Sequence, residues 1–231
     1  MALTLPDAAV PPAGTGRHLR GAGRPDVVLA WQRWQVDAVF LRHVQLARPL
    51  MAPDTPLCDF GWKATAFTLA DPNGTVHSLD GMMGRNGLLV AFICNHCPYV
   101  VAVIDRLVAD AAALHEEGIN TVGIMANDYA SYTDDSPDRM LEFAAKHGFG
   151  FPYLVDETQD VARAWGAVCT PDFFGLNAAG ELQYRGRIDD ARMGDASGRT
   201  PELLNAMRQI GATGKGPAEQ FPSMGCSVKW R

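Results

Sequence analysis

The stretch FICNHCPYV, residues 92–100, limits the possible folds more than any other part of the chain. An apolar run over residues 88–93 stops at two cysteines that flank Asn95 and His96, and Pro98 follows at once. A continuous apolar run of this length predicts a strand buried on both faces. Such a strand needs a layer on each side of its sheet, which points to an α/β architecture. Open α/β sheets place their sites at the carboxyl ends of such strands, where Cys94 and Cys97 stand.

The rest of the chain alternates accordingly. Residues 66–69 and 75–78, joined by Asp-Pro-Asn-Gly, read as a hairpin, because Asn-Gly favours turns that match strand twist. Residues 99–117 read as a helix ended by Gly118, and 120–125 as a second buried strand. Residues 137–147 read as a helix entered through Ser136 and stopped by Gly148. A strand at 151–155, a short helix at 159–165, strands at 173–176 and 182–185 and a helix at 201–210 complete the pattern. The expectation is a central, mixed sheet with helices on both faces.

Residues 1–50 are a different kind of sequence. Residues 1–24, rich in Pro, Gly, Ala and Arg, read as disordered, and residues 26–49 as one amphipathic helix with Val28, Trp31, Gln35, Ala38, Leu41 and Val44 roughly on one stripe. The expected organisation is therefore an N-terminal extension over 1–50, either an appendage or a segment upstream of the natural product, and one domain over 51–231.

Composition excludes several classes. Fourteen basic against twenty-three acidic side chains on residues 51–231 argue against a nucleic-acid footprint. No stretch reaches the roughly 18–20 uninterrupted apolar residues of a membrane-spanning helix. Residues 1–13 lack a basic region followed by an apolar one, so a cytoplasmic location is expected. Five cysteines in a chain of this length do not make a disulfide scaffold; only Cys94 and Cys97 have local pair spacing.

That spacing carries the chemistry. A thiol at a helix N-terminus faces unpaired N–H groups and the positive end of the helix dipole, which favour the thiolate. Cys94 is expected there as the nucleophile, with Cys97 one turn further in and close enough to form a disulfide with it. The pair would cycle between dithiol and disulfide and need no other cofactor. His96, between the two, is expected to tune them by stabilising the thiolate, raising the potential above the roughly −270 mV of thioredoxin. A structural zinc is not expected, since four ligands are needed and no second C-x-x-C or H-x-x-x-H spacing supplies them. Copper(I) on Cys94, Cys97 and His96 is the non-enzymatic alternative, because thiolates suit a soft ion. Thr170-Pro171, within VCTPDFF, is a candidate cis peptide entering a strand.

A strand ending in C-x-x-C, a helix, a further β-α unit and Thr-Pro before a hairpin together resemble the thioredoxin fold. In that fold the loop before the cis-proline lies against the active-site disulfide and binds extended substrate peptide. The resemblance implies Cys94 as the attacking and Cys97 as the resolving cysteine, Pro171 as the cis-proline and Thr170 as the residue whose backbone faces the pair. More closely, FICNHCPYV, GIMANDY, VCTPDFFGLN, YRGRIDD and PSMGCSVKW resemble the peroxiredoxin-like proteins grouped with alkyl hydroperoxide reductase/thiol-specific antioxidant domains, over about residues 51–231. Peroxide-reducing relatives carry P-x-x-x-[ST]-x-x-C. Here the two key positions hold Val90 and Cys94 before Cys97, or Gly87 and Ala91 before Cys94.

The expected function is thus thiol–disulfide exchange through Cys94 and Cys97, with a thiol peroxidase as the enzymatic alternative. Protein or small-molecule disulfides, or peroxides, would be substrates, and a thiol would donate electrons. Cys169 and Cys226 are possible third thiols, although a buried apolar role suits Cys169 and a docked tail suits Cys226. Arg185 or Arg187 is a candidate guanidinium near the thiolate. Asn127, Asp128, Asp189 and Asp190 are candidate proton acceptors, solvated turn residues being the plainer reading.

Overall fold

The computed structural model describes residues 55–231, so the expectations for residues 1–50 lie outside the described residues. The chain forms β1 (Thr68–Ala70), β2 (Val76–Ser78), α1 (Leu79–Met82), β3 (Gly87–Phe92), α2 (Pro98–Glu116) and β4 (Ile119–Met125). It continues through a 3₁₀ turn (Thr133–Asp135), α3 (Pro137–His147), β5 (Tyr153–Val155), α4 (Asp160–Trp165), β6 (Cys169–Thr170), β7 (Asp172–Leu176), β8 (Leu182–Gly186), α5 (Glu202–Thr213) and β9 (Cys226–Ser227). Seven strands make one mixed sheet in the order β2-β1-β5-β4-β3-β7-β8. β3 runs parallel to β4 and antiparallel to β7, and all six of its residues are buried.

The two-sided burial read from the sequence has a simple origin. Successive side chains of a strand point to opposite faces. Leu89, Ala91 and Ile93 therefore join one cluster with α2, α3 and α5, through Ile104, Leu107, Met140, Met207 and Ile210. Leu88, Val90 and Phe92 join the other with α1 and α4, where Trp165 packs edge-on against Phe92 and Phe174. Each fully buried aliphatic side chain contributes about 1.5–3 kcal/mol, so β3 anchors the molecule from both layers. Among the described residues no helix is long and apolar enough to cross a membrane.

Helix ends follow local chemistry. α3 opens with Pro137 and closes with Gly148 at φ 67°, a left-handed cap that glycine adopts without a Cβ penalty. α2 opens with Pro98, and the residue before a proline is driven to extended geometry. Cys97 accordingly sits at φ −70° and ψ 121°, as the cap of the helix rather than inside it.

The C-terminal segment is a strap. Cys226 pairs with Thr170 and Ser227 with Cys169, so β6 and β9 form a separate two-stranded ribbon. Beyond it, Val228 N–H donates to the Val168 carbonyl (3.2 Å), and the Lys229 carbonyl accepts from Asp128 N–H (2.8 Å) and the Gln159 amide (2.8 Å). Before it, the Ser223 hydroxyl donates to the Pro171 carbonyl at 2.8 Å.

Candidate active site

Three segments meet at the carboxyl end of β3: the loop 93–97, the Thr170–Pro171 turn and the 3₁₀ turn at Asp135. The Thr170–Pro171 peptide is cis. Thr170 touches both cysteines. Its Oγ1 lies 3.3 Å from Cys94 Sγ, and its carbonyl oxygen lies 3.1 Å from Cys97 Sγ, from which it accepts when that thiol is protonated. Cys94 and Cys97 are within hydrogen-bond reach of each other, and both are sealed, at 1% and 0% exposure.

The placement of the two thiols differs from the expectation. The spacing alone puts Cys94 at the start of the helix with Cys97 a turn inside; the structure has Cys97 as the cap and Cys94 in the loop three residues before it. The cause is Pro98, which fixes the first helical residue and excludes Cys97 from the helix. Charge follows geometry. Cys97 Sγ receives the Cys94 S–H, contacts from the side chain and N–H of Cys226, and the Val100 N–H, the last without closing a full capping bond. These donors outweigh burial, so the Cys97 pKa falls well below the ordinary thiol range. Cys94 is pushed up, first by giving its S–H to Cys97, then by burial and by the charge of Asp135. The donors thus lower Cys97 relative to Cys94, while the Thr170 carbonyl at 3.1 Å is an acceptor for the Cys97 S–H.

Asp135 is the site residue that sequence reasoning missed. It is fully buried, its Oδ1 accepts from Asn95 N–H (2.8 Å), and its Oδ2 accepts from the Asn127 amide (2.8 Å). His96 Nδ1 lies 2.7 Å from Oδ2, an ion-pair distance off the line of an ideal hydrogen bond. The imidazole stacks on Tyr132 with ring centres 5.7 Å apart, and donor atoms of Cys94, His96 and Asp135 converge within 4.8 Å. Tyr153 closes the floor: its hydroxyl reaches the Ile93 carbonyl (3.3 Å) and Asn95 Oδ1 (3.1 Å). Burial, then the nearby Cys94 and Asp135 charges, hold its pKa far above the usual phenol value, so it acts as a donor. Asp135 follows its partner Asn95 by 40 positions, in a Thr-Asp-Asp-Ser-Pro run, and nothing local says which of the two acids turns inward.

Of the other candidates, Cys226 joins the cluster through its contact with Cys97. Cys169 is fully buried, with its thiol 3.5 Å from the Pro171 carbonyl. Arg185 forks onto Asp172 (2.9 Å to Oδ2) and the Gly166 carbonyl, and Arg187 onto Glu202, so both guanidinium groups are committed to structural partners. Asn127 holds Asp135 on one side and Lys229 N–H on the other. Asp189 pairs with Arg106 and Arg199, Asp190 accepts from Thr200 N–H, and Asp128 accepts from Arg231. A groove of about 420 Å³, lined by Tyr99, Pro171, Phe221 and Met224 with Arg187 and Arg192, opens beside the cis-proline.

Comparison with known proteins agrees with this fold. The sequence model of the family described as Redoxin matches residues 60–198. An uncharacterized conserved protein of Geobacillus kaustophilus is 37% identical in a crystal structure that superposes with a TM-score of 0.74, covering 78% of this chain and 96% of its own. A Mycobacterium tuberculosis protein whose name provisionally makes it a peroxiredoxin is 27% identical over 130 residues, 56% of this chain and 78% of its own. The thioredoxin domain of a thiol-disulfide oxidoreductase from Bacteroides vulgatus is 18% identical with a TM-score of 0.52, covering 65% and 96%, a likeness of fold.

Proposed function

This chain belongs to the Redoxin family and is an oxidoreductase of thioredoxin fold, and we propose that its redox centre is the Cys94–Cys97 dithiol with the roles of the two thiols set by Pro98. Cys97 thiolate attacks a sulfur of a disulfide substrate and expels one thiolate, leaving a mixed disulfide on Cys97. Cys94 then attacks the Cys97 sulfur, the Cys94–Cys97 bond forms, and the second substrate thiolate leaves. His96, with Nδ1 held by Asp135, takes the Cys94 proton in that second step. Electrons are carried by sulfur throughout, and a thiol donor restores the dithiol.

The observation that supports this reading best is the set of donors converging on Cys97 at the helix cap, because a stabilised thiolate is populated at neutral pH and leaves readily. Equilibration of the protein with glutathione buffers, followed by acid quench and thiol counting, tests it. Loss of two thiols together, with a potential above the roughly −270 mV of thioredoxin, is the expected result. A protein that keeps both thiols in oxidised glutathione does not use this chemistry.

One observation favours peroxide as an additional oxidant. The hydroxyl that the sequence lacks three residues before either cysteine is supplied across the site by Thr170, 3.3 Å from Cys94. Rapid mixing with hydrogen peroxide separates the substrates, since a peroxidase loses its thiols to peroxide faster than to a disulfide. The Cys94–His96–Asp135 convergence suits proton transfer better than metal ligation, because the Asp135 carboxylate is already engaged by Asn95, Asn127 and His96.

A further inference from the structure

We propose that Cys226 is a third redox thiol, which exchanges with Cys97 and through which reducing equivalents enter the buried pair; the proposal rests on the dithiol reading above. Three observations lead to it. First, the cluster is contiguous: Cys97 is in contact with Cys94 and also with the thiol of Cys226. Second, the contact is built by the backbone. Cys226 is in register with Thr170, the residue that touches both Cys94 and Cys97, and Gly225 lies so close that a Cβ there would stand 2.1 Å from the Thr170 carbonyl oxygen. Third, access is graded. Cys94 and Cys97 are closed to solvent, whereas Cys226 is only partly buried.

The strap thus covers the edge at Thr170 along which a partner would approach, and presents its own cysteine there. While the strap is docked a bulky thiol reaches Cys226 more readily than the buried Cys94 and Cys97. The exchange balances without any outside oxidant. Cys226 thiolate attacks the Cys97 sulfur of the Cys94–Cys97 disulfide; the 97–226 bond forms, the 94–97 bond breaks, and Cys94 leaves as thiolate and takes up a proton. An external thiol then attacks the Cys226 sulfur and releases Cys97 thiolate. A second external thiol removes the first as its disulfide, leaving Cys226 reduced. Lys229 lies near enough to favour the Cys226 thiolate, although burial and the Cys97 contact hold its pKa at about 11 in the reduced protein. Once Cys97 is in a disulfide, the opposing charge is gone.

Trypsin places Cys94 and Cys97 on one peptide and Cys226 on another, so the two disulfides are distinguished by mass. Full-length wild type, Cys94→Ser and Cys226→Ser, with Cys226→Ala as a second variant of the same site, are oxidised with oxidised glutathione, quenched and digested. Circular dichroism checks that each is folded. The Cys94→Ser protein should give the cross-linked 97–226 peptides as its main product. The pre-oxidised Cys226 variants should be reduced by glutathione at least about tenfold more slowly than wild type, since exchange rates depend on access to the attacked sulfur. Cys94→Ser carrying only glutathione on Cys97, or Cys226 variants reduced at the wild-type rate, overturns the proposal. A wild type that forms the 97–226 bond but never the 94–97 bond overturns the dithiol reading and keeps Cys226 as the partner; one that forms neither overturns both.

Discussion

At the scale of single residues, the site is a contest over where one negative charge resides. The Cys94 S–H is the largest influence lowering the Cys97 pKa, so replacing Cys94 with Ala removes the main donor. Alkylation of Cys97 by iodoacetamide, followed against pH, should have a midpoint well below the ordinary thiol value of about 8.5 in wild type and at least about one unit higher in Cys94→Ala. Equal midpoints would mean that the helix end and Cys226 suffice. Asp135→Asn keeps the side-chain volume and removes the charge that orients His96. Its turnover should fall about 100-fold or more, the scale of general acid–base catalysis, with KM little changed. A purely structural Asp135 would lower stability and leave kcat of the folded protein unchanged. Most of these groups are legible in the sequence: His96, Cys97, Thr170 and Pro171 each stand in a local pattern. Cys97 is expected a turn inside the helix and found as its cap because the C-x-x-C spacing says nothing of the helix start, which the proline after Cys97 decides. Asp135 is out of reach because its role depends on a turn about forty residues from the cysteines.

At the scale of elements, the long strands and helices are readable because each carries its own periodicity and caps. β3, β4 and α3 fall within a residue or two of their expected bounds. The two-residue strands β6 and β9 are not readable. They have no periodicity, and their pairing joins residues more than fifty positions apart. α1, four residues long with Ser78 accepting from Gly81 N–H, is lost for the same want of periodicity. The β6–β9 ribbon gives the third prediction. Gly225→Ala forces a Cβ against the Thr170 backbone, which cannot yield as a flexible side chain would. The strap should undock in part, and labelling of Cys97 by a bulky maleimide should quicken by about tenfold, since a cost of about 1.4 kcal/mol is tenfold in an opening equilibrium. Unchanged labelling would show that the ribbon does not limit access to the thiols.

At the scale of the whole molecule, the mixed sheet carries the site while a buried ion pair within it sets an acid–base liability. Asp172, the first residue of β7 and next to cis-Pro171, is fully buried against Arg185 of β8. Burial pushes its carboxyl up to about 6 despite the guanidinium beside it. A carboxyl whose folded pKa is raised contributes stability that is complete below the unfolded value of about 3.9 and is lost as pH rises through about 6. At about 1.4 kcal/mol per unit the loss is about 3 kcal/mol. Urea unfolding should therefore show the stability difference between wild type and Asp172→Asn shrinking by about that amount from pH 4 to pH 7, and a difference independent of pH would contradict the direction. The strap has a mechanical consequence. Arg231 N–H is held by Gln159 (2.9 Å) and its guanidinium by Asp128 (3.2 Å), while the segment behind them crosses the thiols on a ribbon of only two residue pairs. Tension applied at the carboxyl terminus, by an optical tether or by a fused polypeptide, loads first the bonds of Arg231 and Lys229 to Gln159, Asp128 and Asn127 and then the two residue pairs of the ribbon. A pull on this end therefore uncovers the thiols through the loss of only two residue pairs.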